Sequence, residues 1–207
     1  MMGLAGLFLC VFLVVHLVIN LLILLNDGGV AYGIAVKFMT TNILIKIMEI
    51  FLFGGFALHI LYAFVIQIHN WMARPVKYAK TNHSQTSFFS KYMIHTGVIV
   101  AIFLVLHFIN FYFVKLGWVA IPEGVKDQHD FYTMVLNLFQ NPVYSWIYIG
   151  CMVLLSFHLN HAFQSAFQTM GWNHQTYTPI INFIGNAYSV IVPAGFAIIP
   201  IYVLYIM

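Results

Sequence analysis

Four histidines, His16, His59, His107 and His158, fall one to a hydrophobic stretch in a chain of 207 residues. An imidazole held in lipid is costly unless a polar neighbour or a metal takes its ring nitrogens. Each ring taken alone fits either a hydrogen bond across helices or metal ligation, and the depths of the four bear on the choice. His16 lies 11 residues before Asp27 and His107 lies 10 before Gly117, so both sit about ten residues from one end of their stretches. His59 and His158 each lie 17 residues beyond an asparagine, Asn42 and Asn141, that opens their stretch at that same face. The two sets differ by about seven residues, or about 10 Å along the helix axes. His16 with His107 and His59 with His158 thus form two matched pairs at two levels.

Composition dictates the scaffold that carries these rings. With 62% hydrophobic and 6% charged residues and a mean hydropathy of +0.92, the chain has too little polar surface to coat a soluble globule. Crossing about 30 Å of hydrocarbon takes roughly 20 helical residues, and apolar runs of that length occur five times, near 4–25, 43–70, 91–116, 142–170 and 181–206. The runs are continuous rather than alternating, so they predict helices and not barrel strands. The fold expected is all-α, a single domain over 1–207, an integral membrane bundle of five transmembrane helices. The first run is too long for a signal peptide, has no basic segment before it and no small-x-small cleavage site after it, so it is expected to stay as a helix. Within 117–141, the stretch HDFYTMVLNLFQNP predicts a short helix on the interface. Pro193, Gly195 and Pro200 predict a kink in the fifth run. Cys10 and Cys151 both fall inside apolar runs, where they act as small hydrophobes rather than as a disulfide framework.

Charge sets the orientation. The segment between the second and third runs carries Arg74, Lys77, Lys80 and Lys91 with no acid, which the positive-inside rule assigns to the cytoplasm. Asp27, Glu123, Asp127 and Asp130 lie in loops toward the opposite side, with Glu49 in the first turns of the second run. The N-terminus is therefore expected inside and the C-terminus outside. The net charge of +3 is small and its basic residues are not interleaved with aromatics, so nucleic acid is not an expected partner. Lys46 and Glu49, three residues apart within an apolar helix, fit either a mutual ion pair at the interface or a site that handles protons.

Two imidazoles from two helices, with no carboxylate or thiolate at the same depth, under-coordinate zinc or a di-iron centre. They suit the axial positions of a porphyrin, which supplies the other four ligands itself. The expectation is an outer haem between His16 and His107 and an inner haem between His59 and His158, so that four of the five helices clamp two haems. Gly54, Gly55, Gly97 and Gly150 would let a flat macrocycle approach the backbone, or else serve close helix packing. His161 lies three residues after His158 on nearly the same face and is an alternative ligand, or a contact to a propionate or quinone. His69, His83, His95 and His174 fall near the cytoplasmic surface and His129 in the outer loop, where solvated roles are expected.

The stretches MGLAGLFLCVFLVVHLVINLL around His16 and FHLNHAFQSAFQTMGW around His158 resemble the cytochrome b membrane subunit of succinate dehydrogenase and fumarate reductase (complex II), of the five-helix, two-haem type common in Bacteroidetes. The resemblance runs over essentially the whole chain. Those subunits begin with a short basic segment, whereas this chain starts almost in lipid. The resemblance implies four haem ligands at His16, His59, His107 and His158, with His158 favoured over His161 by its spacing to Gly171. It implies two haem b cofactors and a quinone, menaquinone being the one expected, in a bacterial inner membrane. It further implies flavoprotein and iron-sulfur partner subunits on the cytoplasmic face, docked near Arg74, Lys77, Lys80 and Lys91, of which Arg74 and Lys91 also suit propionates. Lys46 and Glu49 would serve quinone or protons near the outer haem. The chain has no GxGxxG fingerprint and no cysteine cluster, so the dicarboxylate chemistry would reside in those partners. A two-haem cytochrome b of a formate- or hydrogen-linked dehydrogenase would share the cofactors but match less well in motif. A non-redox helical transporter would be expected to show internal repeats or broken helices, which are not evident.

Overall fold

A computed structural model describes residues 2–73, 92–172 and 174–207; Arg74, Lys77, Lys80, His83 and Lys91 lie outside the described residues. Seven helices are found there: α1 Met2–Leu24, ending in a 3-10 turn, α2 Val30–Thr41, α3 Ile43–Met72, α4 Met93–Lys115, α5 Phe131–Gln140, α6 Pro142–Thr169 and α7 Thr178–Tyr205. No strand occurs among the described residues. α1, α3, α4, α6 and α7 are long and apolar enough to cross a membrane, and they coincide with the five expected runs to within a few residues. The short helix expected in the loop after the third span is α5.

Local chemistry sets the helix starts. The side chains of Asn42 and Asn141 accept from the amides of Leu44 and Val143, each at 2.9 Å, and so cap α3 and α6. Asp130 caps α5 by accepting from the Thr133 amide at 3.2 Å. α2, which the sequence pattern does not announce, begins where the Asp27 carboxylate accepts from the amides of Gly29, Val30 and Ala31 at 2.9, 3.2 and 2.8 Å. Gly29 has φ +83°, and a Cβ there would lie 2.6 Å from the Tyr132 ring, so only glycine both makes the turn and lets α2 dock on α5. α7 runs through Pro193 and Pro200 as one uninterrupted helix.

α1 packs on α3, α6 and α7, while α6 packs on α1, α4 and α7. The order around the bundle is therefore α3, α1, α6, α4, with α7 outside against α1 and α6. Across the two diagonals, α1 faces α4 and α3 faces α6 without close backbone packing. The fourth side, between α3 and α4, is also loose. It is joined at the α2/α5 end by Phe53 against Tyr112 and Phe108, with centroids 4.8 and 5.6 Å apart, and by an ion pair from Lys115 to Glu49. The main apolar core lies at that end, where Ile23, Tyr32, Val114, Met134, Phe139 and Tyr148 bring together α1, α2, α4, α5 and α6. A smaller cluster of Cys10, Met152, Leu155 and Leu159 joins α1 to α6. Only Gly55 is buried on α3, so the middle of the bundle is a cavity rather than a core.

A candidate binding site along the bundle axis

The cavity measures about 1920 Å³ and all four histidines line it. Sites for a single small ligand run to about 300–1,000 Å³, so this space has room for more than one large occupant.

The histidines meet across the diagonals. His16 of α1 faces His107 of α4 with ring centroids 5.9 Å apart and planes at 85°. His59 of α3 faces His158 of α6 at 6.4 Å and 83°. These are the pairings the depth count predicts. Two bonds of about 2 Å from imidazole nitrogens to one metal ion, with each centroid about 1 Å behind its nitrogen, set centroids about 6 Å apart. Among the described residues no hydrogen bond involves the Nε2 of any of the four. The Nδ1 atoms of His59 and His107 are buried with no partner at all. An edge-on contact between rings satisfies no nitrogen, so as apolar packing alone the arrangement would carry the full cost of unpaired buried polar atoms. Clusters of three or more His, Cys, Asp or Glu are absent among the described residues, which leaves each pair a two-nitrogen donor set.

Neighbours fix the rings. Phe12 stacks on His16 at 5.3 Å and Phe196 lies at 5.5 Å; the Asn20 amide donates to the His16 carbonyl at 2.7 Å and lies 3.4 Å from its Nδ1. His107 is ringed by Phe103, Phe111 and Tyr148, with centroids at 6.0, 5.2 and 6.3 Å. The Thr96 hydroxyl lies 3.5 Å from His158 Nδ1.

The glycines require a correction. A Cβ on Gly97 would sit 3.4 Å from His158 Cε1, so this glycine does make room at the site. Gly55 instead meets Phe8 at 3.2 Å and serves the packing of α1 on α3, while Gly54 and Gly150 open on empty space at the bundle surface. Gly54 is five residues from His59, about 140° round the helix, and so cannot share its face. Gly6, which no motif or spacing singles out, backs the His59 ring with a notional Cβ 3.7 Å from Cε1.

His161 lines the cavity but enters neither pair. Lys46 and Glu49 do not pair with each other: the Glu49 carboxylate accepts from Lys115 Nζ at 3.0 and 3.3 Å, across the gap between α3 and α4. Lys115 also lies 5.2 Å from the centroid of the Tyr112 ring, within cation–π range. The spacing of Lys46 and Glu49 gave no hint of a partner 66 residues away. Glu49, Tyr112 and Lys115 line one end of the cavity, and His95 and Gln67 line the other. His174 and His129 make local contacts in loops, to the Thr176 amide at 3.2 Å and to Asp127 at 4.0 Å.

Compared with known proteins, the chain matches no family model, no curated protein and no solved structure.

Proposed function

We propose that the chain is a two-haem cytochrome b, the membrane anchor and electron-transfer subunit of a succinate:quinone oxidoreductase in a bacterial cytoplasmic membrane. The observation that carries this reading is the meeting of four imidazoles, pair by pair, across both diagonals of one cavity. Separations of 5.9 and 6.4 Å would let each pair of imidazoles hold one iron between them, and no Nε2 of the four is spent on a hydrogen bond among the described residues. His16 and His107 would hold one haem and His59 and His158 the other. Bound there, each haem would supply a one-electron redox centre.

The chain's own residues do the rest. Phe12, Phe103, Phe111 and Phe196 surround the His16–His107 pair with apolar rings and keep water from it. Glu49 and Lys115 set an acceptor beside a donor at the cavity end, where a quinone ring, menaquinone being the one expected, would meet both. That pair replaces Glu49 with Lys46 as the group that would exchange protons. The basic segment with Arg74, Lys77, Lys80 and Lys91 would face the cytoplasm and dock an iron-sulfur protein, itself bound to the flavoprotein that carries the dicarboxylate chemistry.

A reduced-minus-oxidised absorbance spectrum of the purified chain is expected to show b-type haem, at two per chain; its absence overturns the cytochrome reading. Copurification of a flavoprotein that oxidises succinate separates this assignment from other two-haem cytochromes.

A further inference from the structure

Tyr32, in the first turn of α2, is only 5% exposed, its ring packed among Ile23, Phe111, Val114 and Phe139 and 6.3 Å from the Tyr132 ring. It lines the axial cavity, and its hydroxyl has no hydrogen-bond partner among the described residues. A phenol hidden from water carries the cost of an unmade hydrogen bond unless something takes its O–H. The other two deeply placed tyrosines have such partners: Tyr188 donates to the Cys10 carbonyl at 2.8 Å, and Tyr148 accepts from the Asn110 amide at 2.9 Å.

The position of Tyr32 narrows what its hydroxyl can meet. Phe111 belongs to the same cluster and lies 5.2 Å from the His107 ring, so Tyr32 borders the His16–His107 end of the cavity. The neighbouring donors there are already committed. The Asn20 amide donates to the His16 carbonyl at 2.7 Å, the Thr40 hydroxyl to the carbonyls of Val36 and Lys37 at 2.9 and 3.2 Å, and Lys115 to Glu49 at 3.0 Å. Tyr32 keeps its proton.

A porphyrin carries its two propionates on one edge, and that edge has two ways to face along the bundle. Toward the middle lies the level of the second histidine pair, about 10 Å away, where a carboxylate would be buried without donors. Toward the other side the end of α1 at Leu24 is eight residues from His16, about 12 Å, and α2 closes over it. We infer that the Tyr32 hydroxyl donates a hydrogen bond to a propionate carboxylate of the haem held by His16 and His107. The inference rests on the proposed function and deepens it, giving that haem a neutral donor from the one helix the sequence pattern does not announce. An O–H bond to a carboxylate is charge-assisted and about twice as strong as one between neutral groups.

The test uses the full chain purified from haem-starved cells and titrated in detergent with haem b or with its dimethyl ester, whose propionates carry no charge. His59→Leu leaves the His16–His107 site alone to be read by absorbance. In that background Tyr32→Phe is expected to weaken haem b at least tenfold while the ester binds equally with and without the hydroxyl. Tyr188→Phe, which removes a hydroxyl spent outside the cavity, is expected to leave haem b affinity unchanged. Binding of neither porphyrin to the unaltered chain overturns the cytochrome reading itself. Haem b affinity unchanged by Tyr32→Phe, an equal loss for haem b and the ester, or an equal loss in Tyr188→Phe each overturns the role of Tyr32 alone. If Tyr32→Phe loses its helicity by circular dichroism, the ester decides: equal affinity of the two porphyrins for the His59→Leu chain overturns the inference, and at least tenfold weaker binding of the ester supports it.

Discussion

His107 stands where a regular helix passes into a π turn, Phe108–Tyr112, and that junction decides more than the placing of its own ring. A π turn takes up about one extra residue, which rotates the remainder of the helix by about 100° relative to an unbroken α-helix. Tyr112 and Lys115 are thereby brought to Phe53 and Glu49 on α3. On the proposed function, His107→Leu yields a chain that keeps α-helical structure but holds half the haem iron, as measured by pyridine haemochrome against protein. The same substitution at His161 leaves haem content at two per chain, because His161 belongs to neither pair. Glu49→Gln keeps both haems but lowers quinone reductase turnover by about tenfold or more and alters its pH profile; an unchanged turnover and profile would dispose of the proton-handling role. The imidazole pairs were legible in the sequence because a depth count needs only helix starts and a rise of about 1.5 Å per residue. The partner of Glu49 was not, since neither the π turn nor a contact over 66 residues leaves a periodic trace.

At the scale of elements, the five spans were legible because each is an apolar run of bilayer length, and Asn42 and Asn141 mark the starts of α3 and α6 by capping them. α2 was not, because its 12 residues lack a strong apolar period and its helix depends on the Asp27 carboxylate and on docking against Tyr132. Gly29→Ala places a Cβ in the Tyr132 ring at a left-handed backbone position, and costs about 1 kcal/mol or more. Faster amide exchange in α2 and α5, with α6 unaffected, is the expected readout. At Asp130, burial opposes the charge but hydrogen bonds from Thr133 and the Lys126 amide outweigh it and hold the carboxyl below its ordinary value. A depressed carboxyl stabilises the fold at pH above its unfolded value of about 3.9 and loses that contribution as pH falls through the folded one. Amide protection of α5 should therefore be constant near neutrality and weaken in acid, and Asp130→Ala should remove that acid dependence at a cost of about 1 kcal/mol.

For the whole molecule, the core and the cavity divide the bundle unevenly. Buried apolar side chains gather at the α2/α5 end and between α1 and α6, while most of α3 and the Met93–His107 stretch of α4 carry almost none and border the open space. A chain built around a void gains stability by mass action from whatever fills it. On the proposed function, thermal unfolding in detergent is expected at a markedly higher temperature for protein purified with haem than for protein from haem-starved cells; equal midpoints would argue against haem binding in the cavity. The orientation read from basic residues is open to direct measurement as well. A membrane-impermeant thiol reagent applied to intact spheroplasts should label Asp127→Cys and spare His174→Cys, and the reverse pattern would invert the topology.

The loose flank between α3 and α4, fastened at one end by an ion pair and a few aromatic rings, bears on biogenesis. On the proposed function, a frame with such a seam would enter the membrane empty and receive haem sideways from the lipid afterwards. Maturation would then be limited by porphyrin supply rather than by translation, and an unfilled pool of the chain would wait in the membrane for it.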